Sequence, residues 1–154
     1  AYVYEKGMMN GTGRAAFGPD ASTTRGMIVT ILARMEGVDT TKGAAWYAAG
    51  REWAMKNGIS DGTNMEANIT REQLAAILFR YTEYRGADTA GRTDLSRFSD
   101  SAAVADYARE ALAWAVSAGL LQGRSDGTLN PSGSATRAQT AVILQRLETL
   151  LEKN

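Results

Sequence analysis

The stretch Thr70-Arg-Glu-Gln-Leu-Ala-Ala-Ile-Leu-Phe-Arg-Tyr81 opens on a hydroxyl residue and then places Leu74, Ile77, Leu78 and Tyr81 three and four residues apart. That spacing gathers them on one face of a helix. The same phrase recurs at Thr24-Arg25, followed by Ile28, Ile31, Leu32 and Met35. It recurs again at Thr136-Arg137, followed by Thr140, Ile143, Leu144 and Leu147. Thr140 is the one polar residue in the three stripes. Thr70-Arg-Glu-Gln73 and Thr136-Arg-Ala-Gln139 have the capping-box pattern, a hydroxyl at the N-cap with Gln reaching back from the third helical residue. Thr24-Arg-Gly-Met27 keeps the hydroxyl, and is expected to lack the reciprocal acceptor.

Upstream of each Thr-Arg the chain repeats as well. Gly7-Met-Met-Asn-Gly11, Gly58-Ile-Ser-Asp-Gly62 and Gly119-Leu-Leu-Gln-Gly123 correspond, and Tyr2, Trp53 and Trp114 each lie five positions earlier. Trp46 and Tyr107 stand twelve positions before the second and third copies. Phe17-Gly-Pro19 matches Leu129-Asn-Pro131. Each unit therefore reads as a leading helix, a glycine-bounded loop and a second helix. Leading helices are expected over about 46–57 and 106–118, with Gly58 and Gly119 at left-handed C-terminal positions. One such unit cannot bury its stripe alone, so three should pack as a pseudo-threefold, all-α bundle. The expected organisation is repeat 1 over 1–36, read as incomplete at its N-terminus, and repeat 2 over 37–82. A solvated, mobile connection over 83–97 and repeat 3 over 98–154 follow.

Composition narrows the function. Seventeen basic and 17 acidic residues balance, which argues against a nonspecific nucleic-acid binder. No apolar run approaches membrane-spanning length. Without Cys or His, the chain lacks a thiolate nucleophile and the commonest general base and metal ligand. No nucleophile–base pair recurs in the repeats, and no catalytic residue or cofactor is expected. Asp61-Gly62 and Asp126-Gly127 lack the Asp ladder and closing Glu of a calcium loop, so no metal site is expected either.

Phe98-Ser-Asp100, Tyr107, Trp114, Gly119-Leu-Leu-Gln-Gly123, Asp126-Gly-Thr128, Pro131 and Thr136-Arg-Ala-Gln139 together resemble an S-layer homology (SLH) repeat. The resemblance runs through nearly the whole chain in three copies. There are departures. Gln73 and Gln139 stand where the family has Glu, Gly37 replaces the aromatic before Asp39, and Tyr107 replaces Trp. The resemblance implies a three-pronged helical module of a larger bacterial surface protein, outside the cell. Its grooves would bind secondary cell-wall polysaccharide, often carrying a pyruvate ketal. Carried over by motif, the ligand-binding residues are Arg25, Arg71 and Arg137, with Asp39 and Asp100, and Trp46 and Tyr107.

The chemistry of these residues is consistent with that role. An Arg at the first position of a helix lies beside unpaired N–H groups and the positive dipole end, which together favour a carboxylate. Sugar rings offer apolar faces to Trp or Tyr and hydroxyls to Asp. Each residue also has a plainer reading: Arg as a surface ion-pair partner, Asp39 and Asp100 as helix caps, Trp46 and Tyr107 as packing. Trp53 and Trp114 read as core. A structural or protein-interaction module without glycan binding is the alternative function, and an enzyme ranks third.

Overall fold

The structure is a computed structural model and describes residues 21–41, 43, 45–124 and 126–152. The readings at Tyr2, Gly7–Gly11 and Phe17-Gly-Pro19 lie outside those residues. The described chain forms α1 (Arg25–Met35), α2 (Ala48–Lys56), α3 (Arg71–Tyr84), α4 (Asp106–Ser117) and α5 (Arg137–Glu152). Short 3-10 turns occupy Leu95–Arg97 and Ser101–Ala103. Among the described residues no β-strand forms, and no helix is long and apolar enough to cross a membrane.

All three Thr-Arg helices begin where the sequence places them. Thr70 Oγ1 accepts from the Gln73 N–H at 3.2 Å while the Thr70 N–H donates to Gln73 Oε1 at 3.0 Å. Thr136 and Gln139 repeat the exchange at 3.1 and 3.0 Å. The first copy differs from expectation. Thr24 Oγ1 accepts from the Met27 N–H at 3.2 Å, and the Thr24 N–H finds Met27 Sδ at 3.5 Å. A thioether is a weak acceptor, but its reach and position complete the box. The leading helices end as expected too. Gly58 (φ 71°) and Gly119 (φ 79°) are left-handed, and the following N–H groups of Ile59 and Leu120 return to Ala54 and Ala115 at 2.8 and 2.9 Å. This is the Schellman closure, and it buries Ile59 and Leu120 completely.

The chain divides into two compact units. One comprises the chain to Ile69 with Ala135–Val142, the other Thr70–Ser134 with the chain from Ile143. In the first unit α1 packs on α2, and in the second α3 packs on α4. Each pair joins the second helix of one repeat to the leading helix of the next, rather than the two helices of one repeat.

Within the first unit, the residues that precede the three capping threonines form a closed ring. The Thr23 N–H donates to Ala135 O at 2.9 Å, Ala135 N–H to Ile69 O at 3.2 Å, and Ile69 N–H to Thr23 O at 2.8 Å. All three residues are buried, so each ring bond satisfies backbone groups that water cannot reach. Thr140, the polar exception in the stripes, lies beside this ring. It is fully buried, and its hydroxyl is 2.9 Å from that of Thr23. The stripe takes a threonine there because Thr23 presents a hydroxyl that needs a partner.

The connection over 83–97 is mostly exposed but not unattached. Leu95 is buried, the Thr93 N–H donates to Ala113 O at 3.1 Å, and Arg92 lies over the Phe79 ring at 5.3 Å and bonds Glu110 at 2.9 Å. Trp114 is core, 2% exposed, with its ring 5.5 Å from Phe79. Trp53 departs from expectation and is half-buried.

Candidate functional site

Arg25 and Arg71 each occupy the first turn of a capped helix and each reach into the glycine-bounded loop of the next repeat. Arg71 Nε donates to Leu129 O at 2.8 Å and Nη2 to Gln122 O at 2.9 Å. Arg25 Nε donates to Thr63 O at 3.0 Å, and Nη2 bonds Asp61 Oδ1 at 3.2 Å. Thr63 and Leu129 both stand eight residues before the next Thr-Arg arginine, so the Nε clasp is the same bond made twice. Among the described residues the clasp uses Nε and Nη2 of both arginines.

Around Arg71 the loop is held from two sides. Asp100 accepts the Leu129 N–H on Oδ1 and the Asn130 N–H on Oδ2, both at 2.8 Å. Asn130 itself is left-handed at φ 54°. Arg124 closes the loop base through its N–H to Thr128 O at 2.7 Å. Burial pushes the Arg71 guanidinium pKa down, as does repulsion from Arg124, while Asp100 opposes the shift. Glu72, next to Arg71, accepts the Ala105 N–H at 2.9 Å. That bond brings the start of α4 to the start of α3 and places Tyr107, 56% exposed, on the neighbouring first turn.

Around Arg25 the counterpart forms within the first unit. The Arg25 N–H donates to Ala67 O and the Gly26 N–H to Met65 O. Trp46 lies against the same turn, its Cη2 3.2 Å from where a Gly26 Cβ would stand. It is 40% exposed and meets Tyr47 edge-on at 5.3 Å. Arg51 Nε donates to Gly62 O at 2.7 Å. An open cleft of about 620 Å³ lies here, lined in part by Tyr47, Arg51, Asn64, Met65 and Glu66.

The structure thus brings Arg25 together with Trp46, and Arg71 together with Asp100 and the α4 turn of Tyr107. Arg137 joins neither group. Its N–H donates to Ala21 O at 2.8 Å, and among the described residues its buried Nε and Nη1 have no hydrogen-bond acceptor. Asp39 also stands apart. It accepts the N–H and hydroxyl of Thr41 at 3.0 and 2.5 Å and lines a different cleft, with Trp53. Phe98 is buried two residues before Asp100, whereas Gly37 (φ 81°) precedes Asp39.

Sequence reasoning missed Arg51, Arg124 and the pairing role of Asp61. The available signal was positional, since Asp61 and Arg124 sit beside the loop glycines Gly62 and Gly123. Asp61 and Asp126 each accept both the N–H and the hydroxyl of the threonine two residues on. These bonds, the hydroxyl first, lower the Asp126 carboxyl below its ordinary range.

A family model described as S-layer homology domain matches residues 97–141, which include Asp100, Tyr107, Arg124 and Arg137. An endoglucanase of Bacillus sp. (strain KSM-635) is 30% identical over 157 residues, covering 94% of this chain and 17% of that protein. A cellulosome-anchoring protein of Acetivibrio thermocellus is 25% identical over 152 residues, covering 84% of this chain and 33% of that protein. The chain therefore spans a third or less of the length of these relatives. Among solved structures, the undecaheme cytochrome from the S-layer of Carboxydothermus ferrireducens aligns over 95% of this chain and 20% of its own, with TM-score 0.54 and 23% identity. At that identity the likeness concerns the fold.

Proposed function

We propose that this chain, which carries an S-layer homology domain, attaches a larger bacterial surface protein to cell-wall polysaccharide through the Arg25 and Arg71 sites. The coarser part of this reading, a surface-anchoring module outside the cell, follows from the domain itself. The endoglucanase match reaches only 17% of that enzyme, so its catalysis is not carried over to this chain.

The observation that carries the glycan reading is the repeated clasp. Two arginines are fixed by Nε to a loop carbonyl, each at a helix N-terminus, with exposed Trp46 against the Arg25 turn and exposed Tyr107 on the first turn of the helix that Glu72 holds. A fixed guanidinium costs less entropy to use than a free one. Its positive charge and the adjacent helix dipole favour a carboxylate such as a pyruvate ketal, whereas the first-turn N–H groups, which the sequence leaves open to a ligand, are already taken by loop carbonyls and the capping threonines. Trp46 and Tyr107 supply flat apolar surface for the ring that bears it. Asp100 acts by holding the loop in place, since both of its oxygens are taken by backbone N–H groups.

The test is retention on purified sacculi before and after the accessory polymer is stripped. Retention lost on stripping supports the anchor. No retention on either preparation would favour a structural or protein-interaction module in which the arginine clasps serve only to join repeats.

A further inference from the structure

Helix α2 has a cleft on two of its flanks. One is the cleft near Arg25. The other, of about 370 Å³, is lined by Val38, Asp39, Ala49, Glu52, Trp53 and Lys56 among others, and of the described residues only Ala48 lines both. Trp53 and Trp114 hold the same place, five residues before Gly58 and Gly119. Trp114 is 2% exposed under Phe79, and the 83–97 connection is tied down next to it by Thr93 to Ala113 O. Trp53 is half-buried and contributes to the wall of an open cleft. One repeat position has thus become core in one copy and cleft wall in the other.

We propose that the Trp53 cleft is a second saccharide subsite, one that takes an uncharged pyranose ring. Its lining divides into an apolar set, Val38, Ala48, Ala49 and Trp53, and a charged set, Asp39, Glu52 and Lys56. An indole takes the C–H face of a sugar ring, carboxylates accept its hydroxyls, and an ammonium donates to ring or hydroxyl oxygens. The charged set sums to one negative charge, so an anionic sugar is disfavoured, in contrast to the arginine sites. The volume lies at the small end of the roughly 300–1,000 Å³ usual for ligand clefts, which suits a short stretch of glycan. The proposal rests on the anchoring reading only for the source of that ring. Because α2 carries both clefts, one polymer chain could place its acidic residue at Arg25 and a neutral neighbour at Trp53.

The test is an NMR titration of the purified chain with cellobiose and with N,N′-diacetylchitobiose, following the indole N–H resonances of Trp46, Trp53 and Trp114. The Trp53 signal should move saturably with at least one disaccharide while Trp114 stays fixed. Ala49→Phe fills the cleft without removing Trp53 and should weaken Kd about tenfold or more, the worth of one lost stacking contact. Glu52→Arg, at an exposed position, is the second variant should Ala49→Phe fail to fold, with the same weakening expected. A Trp53 signal that neither disaccharide moves, or a folded cleft variant that binds as the parent does, overturns the subsite. Arg25→Ala separates the two readings, since it should lower retention on sacculi and leave the Trp53 response intact. Absent sacculus retention with an intact Trp53 response would remove the anchor and keep the subsite.

Discussion

Arg71 Nε donates to the carbonyl of Leu129 at 2.8 Å, so the arginine of one repeat holds the loop of the next. Arg71 is 9% exposed and is therefore part of the fold as well as part of the candidate site. Arg71→Ala should destabilise the chain by about 2–3 kcal/mol, the scale of losing charge-assisted hydrogen bonds and leaving the buried Leu129 carbonyl unpaired. Arg71→Lys should recover part of this, keeping the charge without the planar fork. Urea unfolding of both variants checks it, and an unchanged midpoint for Arg71→Ala would show that the clasp contributes nothing.

Polymer binding should be measured well below the melting point of each variant. There, Arg25→Ala and Trp46→Ala should each weaken binding at the first site, Arg25→Ala by roughly ten- to a hundredfold if the guanidinium holds a carboxylate. Chemical removal of pyruvate from the polymer should reproduce that loss, and Arg25→Ala should then add little, because both routes delete one contact. Full additivity in calorimetric titrations would place the carboxylate elsewhere.

Thr23 and Thr140 form a buried hydroxyl pair. Thr140→Val should cost about 1–3 kcal/mol by stranding the Thr23 hydroxyl, and the double Val variant should recover much of that loss. A double variant as unstable as the sum of the singles, in thermal unfolding, would contradict the pairing.

Hydroxyl and N–H donation from Thr128 hold the Asp126 carboxyl below the ordinary range, and Ser96 does the same for Asp94 through its N–H and hydroxyl. A depressed folded-state value means that these turns add stability above the unfolded carboxylate value of about 3.9. That contribution is lost as pH falls through the lower folded value. Carboxyl chemical shifts of both residues should therefore titrate below those of an unfolded peptide, and Thr128→Ala should return Asp126 toward the peptide value.

The connection over 83–97 should exchange its amide hydrogens unevenly. Thr93, bonded to Ala113 O, should be slower than Gly91 by an amount that Arg92→Ala reduces, since Arg92 fastens the strap to Phe79 and Glu110. Uniformly fast exchange through residue 93 would show the strap to be open in solution.

Local physics is legible in one dimension. The apolar stripes, the hydroxyl caps, the Gly58 and Gly119 stops and the helical class all depend on residues within a few positions of one another, and the sequence alone established them. Arg25, Arg71, Trp46 and Tyr107 could be named from the repeat because each sits at a fixed offset from such a local signal. Even the exception at Thr24 was nearly visible, but whether a methionine sulfur can replace a glutamine oxygen depends on a side-chain path that spacing does not state.

What only the tertiary structure decided is which copy each residue serves. Arg25, placed by sequence in the least complete repeat, finds Trp46 and the Asp61–Thr63 loop in the next one. Arg137 meets neither aromatic. Asp39 and Asp100 align in sequence, yet Asp100 holds the Leu129–Asn130 loop while Asp39 caps Thr41 and lines a separate cleft. Trp53 and Trp114 diverge as well, one lining a cleft and the other covered by Phe79. Repeats equate positions along the chain, but burial and hydrogen bonding depend on what the neighbouring repeat brings alongside, and that partner lies dozens of residues away.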